Sequence, residues 1–358
     1  MTQLELFHKT MAHEYTGQYL FHCGFITETF RKFREYYDLP EDISFYDKFG
    51  MYAPYNIEMK APDFTLPAPD FMRYYKDMEI PANAYINHIG VLNVPGSAYH
   101  FTRYISPLRN VTSVTECRDF PFVDCYGWTD EGMADHVKEA HRQGRVAVMG
   151  VGGVYEEAWQ IRGYEQFLID MIDDPAIPFF ILGRIHDREL KRYIAAAKAG
   201  MDVIHTGDDV ATQRSLIMSP ELWRRFIKPL HKELNDVAHA INPEVKILYH
   251  SDGDISNIIP ELIDIGVDIL NPLQPECMDL KKLKSEFGKH IVFDGTIGTQ
   301  STMPFGTPDD VRKKVAENKK LYGYDGALMI SPTHVLEPEV PPENIMAFLE
   351  ACADCGNA

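Results

Sequence analysis

Short runs of β-branched and aliphatic residues alternate with amphipathic helical segments along the chain from about residue 133 onward. Helical segments of ten or more residues between such runs are the pattern of βαβ units. The alternation therefore predicts an α/β fold built on a parallel sheet. Six of the runs are predicted to be strands: 145–149, 202–205, 245–249, 267–270, 291–293 and 327–330.

Capping residues mark several of the helical segments between these strands. Gly144 follows the first segment, and Ser219-Pro220 and Thr307-Pro308 each place an N-cap residue before a proline in the first turn. The predicted helices cover 134–143, 155–172, 188–198, 219–241, 255–265 and 279–287, with two more beginning at 307–308 and near 341–343.

Two further strands complete the predicted architecture. One is expected at 17–22, and one in the region 40–130, which is rich in Pro, Tyr and Phe and has little clean periodicity. Eight β/α units is the number found in a TIM barrel. We therefore predict one TIM-barrel domain over residues 1–358, irregular at 1–130 and regular at 131–358.

An open, doubly wound sheet is the alternative to the barrel. Such sheets bind dinucleotides through a GxGxxG turn after a strand. Here the strand at 145–149 is followed by Gly150-Val-Gly152-Gly153, which does not fit that pattern. We interpret this turn as a tight connection and favour the barrel.

The charge of the chain limits its partners. It carries 35 Lys and Arg against 53 Asp and Glu, a formal net charge of −18. Nucleic acids and anionic membranes would be repelled, so neither is expected as a partner. No apolar run reaches the roughly 18 residues of a membrane span, and the N-terminus lacks the pattern of a signal peptide. We expect a cytoplasmic protein.

The six cysteines do not form the pattern of a disulfide framework. Cys352 and Cys355 make a single CxxC near the end of the sequence. One such pair is a weak metal signal, and two cysteines at a helix end is the interpretation we favour.

Ligand-type side chains follow the predicted strands, and the active site of a TIM barrel lies at those strand ends. His250 and Asp252 directly follow the strand 245–249, and residues two apart on an extended segment point to the same side. They can therefore converge on one ion or substrate, although the Asp-Gly-Asp sequence also suits a turn, with Asp254 as a helix cap. The other strand-end candidates are His22, Cys23, His205, Asp208, Asp209, Asn271, Gln274, Cys277, Asp294 and His334.

Four of these candidates have a competing structural explanation. The adjacent carboxylates Asp208 and Asp209 can hold one raised pKa, or one can face the barrel while the other caps a helix. Cys277 is about equally consistent with a ligand and with a buried inert thiol, and His334 taken alone suits a hydrogen-bonded loop histidine. We predict catalytic roles for His334 and for Asp208 or Asp209, and substrate contacts for His205, Asn271, Gln274 and Asp294.

Most of the last 150 residues resemble the uroporphyrinogen decarboxylase superfamily, which includes the cobalamin-dependent methyltransferases. The matching segments, in order, are GDDVATQRSLIMSPELWRRFIKPLHKEL, ILYHSDGD, GVDILNPLQP, FDGTIGTQ, PFGTPDDV and SPTHVLEPEVPPENIMAFLEA. The resemblance implies a TIM barrel, in agreement with the count of strands.

The methyltransferase branch of that superfamily holds zinc with a His-x-Cys after one strand and a Cys after the last. The corresponding residues here are His250, Asp252 and His334. The resemblance thus implies a site of two histidines and one carboxylate, with Cys277 or the Asp208/Asp209 pair as an extra ligand. This set is harder than thiolates and suits zinc acting on an oxygen-bearing substrate such as a methyl ether. A separate corrinoid protein would accept the methyl group.

Two other functions remain open at this stage. The decarboxylase branch uses an N-terminal arginine motif and a late histidine; His334 matches the histidine, but residues 13–24 contain no arginine. In that case His334 would donate a proton while Asp208 or Asp209 stabilised a cationic intermediate. The third function is binding of a tetrapyrrole or aromatic ligand by the aromatic residues Tyr46, Tyr52, Tyr55, Phe64, Phe71, Tyr74 and Tyr75, which we instead expect to pack the N-terminal region.

Overall fold

The computed structural model describes residues 1–62, 69–96 and 102–354. Eight parallel strands form one sheet in the order β1-β11-β10-β9-β8-β7-β6-β2. The order follows the chain around the sheet, as a TIM-barrel-like fold requires. The predicted fold class is therefore confirmed. The strands are β1 Leu20–Phe21, β2 Tyr55–Asn56, β6 Ala147–Gly150, β7 Val203–Gly207, β8 Lys246–His250, β9 Ile269–Asn271, β10 Val292–Asp294 and β11 Leu328–Ile330.

The sheet curls so that its two outer strands approach each other. The strand β1 pairs with β11, and β2 pairs with β6, both in parallel register. The backbone N–H of Tyr52, just before β2, donates to the carbonyl of Phe21 in β1 at 2.7 Å. One hydrogen bond thus bridges the two outer strands.

A second, antiparallel sheet lies in the N-terminal region, between the barrel strands β2 and β6. It has three strands, namely β3 Tyr85–Ile86, β4 Leu92–Pro95 and β5 Thr102–Ile105. The helices of this region are short: α1 Gln3–Met11, α2 Thr27–Tyr36, α3 Phe45–Phe49, α4 Val114–Cys117 and a 3₁₀ turn at Phe71–Tyr75.

The helices of the regular half follow the strands of the barrel. They are α5 Met133–Arg142, α6 Val154–Arg162, α7 Tyr164–Asp173, α8 Ala176–Ala199, α9 Pro220–Phe226, α10 Lys228–Ile241, α11 Ile259–Asp264, α12 Leu280–Phe287, α13 Thr302–Phe305, α14 Pro308–Tyr322 and α15 Pro342–Ala353. Ser219 and Thr307 cap α9 and α14 with their hydroxyl groups, as predicted. Within the described ranges, no helix is both long and apolar enough to cross a membrane.

Four helices differ clearly from their predicted bounds, and one of them, predicted at 255–265, spans only Ile259–Asp264. The segment 155–172 is divided at Gly163, whose φ of 107° lies outside the helical region. The segment 219–241 is divided at Ile227, since a proline in the first turn of α10 cannot donate the N–H that a continuous helix needs. The helix predicted at 188–198 begins earlier, at Ala176, directly after Pro175.

Alternate residues of the strands fill the inside of the barrel. This inner layer also contains Phe7 of α1 and Tyr52, both buried. The residues facing the other way pack against the helices in a larger core. Because side chains alternate along a strand, the inner layer fixes which later residues also point inward. Its strand residues are Leu20, Val148, Val203, Leu248, Ile269, Val292 and Met329.

Candidate functional site

The residue two positions after each inner-layer residue points into the mouth of the barrel. His250, Asn271 and Asp294 each follow an inner-layer residue by two positions, namely Leu248, Ile269 and Val292. This spacing applies equally to strands across the ring. The same step gives His22, His205 and Ser331 from β1, β7 and β11. The strand pattern thus places these six polar residues in one layer at the carboxyl ends of the strands.

A carboxylate-rich cluster lies at the ends of β7 and β8. Ligand atoms of Asp209, His250 and Asp252 all lie within 4.8 Å of one another. His250 Nε2 is 3.9 Å from Asp209 Oδ1, and the backbone N–H of Asp252 donates to the same oxygen at 2.8 Å. All three residues are half-buried. Asp209 is brought to the pair by strand pairing, since Gly207 of β7 is in register with His250 of β8.

The two carboxylates repel each other. Burial, followed by the charge of Asp209, raises the pKa of Asp252, while His250 and His334 partly offset this rise. Glu156, in the first turn of α6, adds a third acid to the cluster. Burial and the charges of Asp209 and Asp208 raise the pKa of Glu156 to about 8. Three carboxyl groups are therefore crowded at this point, and near pH 7 Glu156 keeps its proton.

A chain of hydrogen-bonded side chains contacts His250 at Nδ1, the ring nitrogen that does not face Asp209. Its Nδ1 lies 2.7 Å from Asn271 Oδ1, and Asn271 Nδ2 donates to Asp294 Oδ2 at 2.9 Å. Asp294 is buried and also accepts from Ser331 Oγ at 2.9 Å and from His22 Nε2, which lies 3.1 Å from both of its oxygens. Burial opposes ionisation of Asp294, but His22, Ser331 and Asn271 outweigh it and lower its pKa.

The pKa values of the other two mouth histidines shift in opposite directions. Burial disfavours the charged form of His22, but the neighbouring Asp294 carboxylate outweighs this and raises the pKa of His22. The pKa of His205 falls to about 4, because the surrounding protein desolvates the ring and His250 adds like charge. His205 is thus neutral near pH 7. Its ring centroid lies 6.5 Å from that of His250.

Asp208 has a different environment from Asp209. It is fully buried, and its carboxylate accepts the backbone N–H groups of Val154, Tyr155 and Glu156 at 3.1, 2.8 and 3.0 Å. It also accepts from His231 Nε2 at 2.8 Å. Asp208 therefore caps α6, and only Asp209 belongs to the cluster. Of the two alternatives predicted for this pair, one acid capping and one facing the mouth is what we observe.

The predicted metal ligands come together only in part. His250 and Asp252 lie together, but in the described part of the chain the third member of the group is Asp209 rather than His334. The physical reason is that β7 is the neighbour of β8, whereas β11, which precedes His334, is three strands away. His334 lies near Asp252, whose pKa it lowers, and its Nδ1 is 3.8 Å from Glu337 Oε1.

The predicted extra ligand Cys277 also lies outside this group. Its Sγ is 3.6 Å from Gln274 Oε1, and burial raises the pKa of the thiol to about 11. Gln274 holds the loop after β8, since its Oε1 accepts the N–H of Gly253 at 2.8 Å and its Nε2 is 3.4 Å from Asp252 Oδ1. Cys352 is buried with its thiol pKa well above the usual value, while Cys355 and Phe64 lie outside the described residues.

Three residues of the site had no role assigned from the sequence. His22 follows a two-residue strand, Ser331 looks like an ordinary loop residue, and Glu156 lies within a predicted helix. His22 was already a strand-end candidate, and the alternation of inward-facing residues would have pointed to Ser331 as well. Glu156 carries no such signal, because its position depends on where α6 packs.

The cluster has the chemistry of a divalent cation site. One imidazole nitrogen and two carboxylate oxygens are ligands used by zinc, and three protein ligands leave a position open for substrate. The residues that are present therefore fit a metal ion.

An eight-stranded parallel barrel with titratable groups at the carboxyl ends of its strands is an architecture typical of enzymes. A model of the family "Uroporphyrinogen decarboxylase (URO-D)" matches residues 132–355. The chain belongs to this family, and the resemblance seen in the sequence is confirmed.

Curated relatives carry the name of that decarboxylase. Uroporphyrinogen decarboxylase from Chlorobium phaeobacteroides (strain DSM 266 / SMG 266 / 2430) is 25% identical over 183 residues, 50% of each chain. The enzyme from Prochlorococcus marinus (strain MIT 9215) is 23% identical over 153 residues, 43% of this chain and 41% of the relative. The chain spans at most about half the length of the curated relatives it matches.

A solved structure covers more of the chain. A methyltransferase from Methanosarcina mazei superposes with a TM-score of 0.64, covering 98% of both chains at 15% sequence identity. At this identity the similarity establishes the fold, and the chemistry must be argued from the site.

Proposed function

We propose that the protein is a metal-dependent methyltransferase of the URO-D-like type. It would take a methyl group from a methoxylated or otherwise methylated small molecule and transfer it to a corrinoid cofactor carried by a separate protein. The observation that carries this proposal is the convergence of Asp209, His250 and Asp252 on a point within reach of one cation.

The charges around the cluster support a cation at that point. Asp209 and Asp252 repel each other, and the charges of Asp209 and Asp208 are among the causes that raise the pKa of the nearby Glu156. Among the described groups that act on Asp252, only His250 and His334 oppose its raised pKa. A divalent cation would compensate the two carboxylates and stabilise their ionised forms.

The donor set favours an oxygen-bearing substrate. One imidazole and two carboxylates form a harder ligand set than the thiolates of a thiol-activating site. A zinc ion held by these residues would act as a Lewis acid on the oxygen that bears the methyl group. His205 lies next to His250 in the mouth of the barrel and is neutral near pH 7. It can therefore donate a hydrogen bond to a substrate, or accept one from it, without adding charge.

Metal analysis tests the cation site. We expect the purified protein to contain about one zinc ion per chain. The variants His250→Ala and Asp209→Asn should lose it. Asp254→Asn is the matched control. Asp254 lies in the same loop, but its Oδ1 accepts the backbone N–H of Ser256 and it is not a member of the cluster. His334→Ala should retain the metal, which separates the observed group from the one predicted from the sequence.

Two results would refute the cation site. One is a folded native protein that contains no metal and takes up none on titration with Zn²⁺. The other is an unchanged zinc content in both His250→Ala and Asp209→Asn. The methyl-transfer step is tested separately, by following methylation of reduced cobalamin spectroscopically with a panel of methoxylated aromatic compounds.

A metal-independent decarboxylase is the second candidate. The names of the curated relatives favour it, and so does His334 near the mouth. The lack of arginine in residues 13–24 disfavours a substrate with many carboxylates, since no guanidinium group from that stretch would bind them. Release of carbon dioxide from a carboxylated ring compound in the presence of a chelator would decide for this candidate.

A further inference from the structure

Three neighbouring strands each place one polar residue in the same layer of the barrel mouth. The strands β8, β9 and β10 are adjacent, and they end in His250, Asn271 and Asp294. His250 and Asn271 are paired in the strand register. A chain of two hydrogen bonds therefore runs sideways across three strands, and it ends at the nitrogen of His250 that faces away from Asp209.

The direction of each hydrogen bond in this chain is fixed by chemistry. The carboxylate of Asp294 has a lowered pKa and can only accept hydrogen bonds when ionised. The group of Asn271 that lies 2.9 Å from it must therefore be the NH₂ group. The carbonyl oxygen of Asn271 then faces His250 at 2.7 Å, and an oxygen can only accept. The proton must be on Nδ1 of His250.

A proton on Nδ1 leaves the lone pair of a neutral imidazole on Nε2. This is the atom that lies 3.9 Å from Asp209 Oδ1, a distance too long for a hydrogen bond. Metal-binding histidines commonly donate their second N–H to a carboxylate or carbonyl, which fixes the tautomer and the ring orientation. Here a buried carboxylate acts on the ring through an intervening amide.

Asp294 is firmly held in this role. It is buried, and its remaining contacts are with His22 and Ser331. Neither of these contacts reaches His250, so they stabilise the carboxylate without competing for the ring. Replacing Ser331 should therefore leave the path to His250 intact, which makes Ser331 a matched control.

We infer that Asp294 and Asn271 are positioning residues that hold His250 in the Nδ1–H tautomer with its Nε2 lone pair directed at the cation site. The inference rests on the proposed function, because that function is what gives the Nε2 lone pair a metal ion to bind. The tautomer itself is a property of the metal-free protein. The two can therefore be tested apart.

The experiment is ¹⁵N NMR of the full chain labelled at the histidine rings, with metal removed by chelation. The signals of His250 are assigned by comparison with His250→Gln. We expect wild type and Ser331→Ala to show Nδ1–H, whereas Asn271→Leu should lose this preference. Asp294→Asn should show both tautomers, because an amide at 294 permits either orientation of Asn271. Zn²⁺ affinity should fall about 10- to 100-fold in Asn271→Leu.

The outcomes separate the inference from the proposed function. An Nε2–H tautomer in the wild-type protein would overturn the inference, and this needs no variant to fold. An unchanged tautomer in both Asn271→Leu and Asp294→Asn would also overturn it. If the tautomer is as expected but the wild type binds no Zn²⁺, the inference stands and the proposed cation site fails.

Discussion

Replacing each of two adjacent aspartates should affect different properties of the protein. Asp208 is fully buried and accepts three backbone N–H groups and His231 Nε2, itself buried. Asp209 is half-buried, and its Oδ1 accepts one backbone N–H, that of Asp252. We predict that Asp208→Asn lowers the free energy of unfolding, while Asp209→Asn removes the metal and leaves the fold intact.

The magnitude for Asp208 follows from its contacts. An amide in its place keeps one acceptor oxygen and turns an NH₂ group toward buried donors. A buried donor left without a partner costs about 1–3 kcal/mol. We therefore expect Asp208→Asn to lose about 1–3 kcal/mol for each donor that is left without a partner.

The magnitude for Asp209 is smaller. An amide oxygen at this position can still accept the N–H of Asp252, and the charge that raises the pKa of Asp252 is gone. The change in unfolding free energy should stay within about 1 kcal/mol in chelated protein. Urea unfolding followed by circular dichroism, with zinc analysis of the same samples, measures both properties. If Asp208→Asn unfolds like the wild type, or if Asp209→Asn is the less stable of the two, the assignment of roles is wrong.

Three further predictions concern the surroundings of the cluster. The pKa of Glu156 is raised from 4.5 to about 8, so the folded state binds this proton more tightly than the unfolded state does. In protein freed of metal by a chelator, the free energy of unfolding should therefore fall as the pH rises between these two values. The variant Glu156→Gln should remove this pH dependence. A Cβ at Gly153 would lie 2.2 Å from the carbonyl of Gly207, so Gly153→Ala should lose about 1–3 kcal/mol in urea unfolding, whereas Gly150→Ala, with no atom within 4 Å, should not. Cys277→Ala should keep the zinc content of the wild type, because the thiol lies outside the ligand group, and a loss of metal would contradict this.

The regular half of the fold could be predicted because its signals are local. All six strands predicted after residue 145 are present, since runs such as Val203–Gly207 are β-branched and bounded by turn residues. Helix starts at Ser219 and Thr307 were visible because caps are chemical features of single residues. The eighth strand, Tyr55–Asn56, has two residues and no periodicity, so its existence depends on pairing with β6.

The site could be predicted only within single segments. His250 and Asp252 were found because their spacing on one extended segment is enough to place them together. In the metal site, Asp209 was predicted only as one of several alternative extra ligands, since its contact depends on β7 lying beside β8. Strands in a sheet are about 4.8 Å apart, so the nearest ligand comes from the neighbouring strand. A family pattern of cysteines placed the third ligand at His334 instead.

The hydrogen bond between Tyr52 and Phe21 joins the two outer strands of the curled sheet. Across this junction the described residues show no strand ladder of the kind that joins the other neighbours. If this hydrogen bond broke and the two strands separated, the outer edges of β1 and β2 would be exposed. Unpaired strand edges can pair with strands of other chains. The hydrogen bond of Tyr52 therefore joins the two edges at the point where the strand ladder is missing.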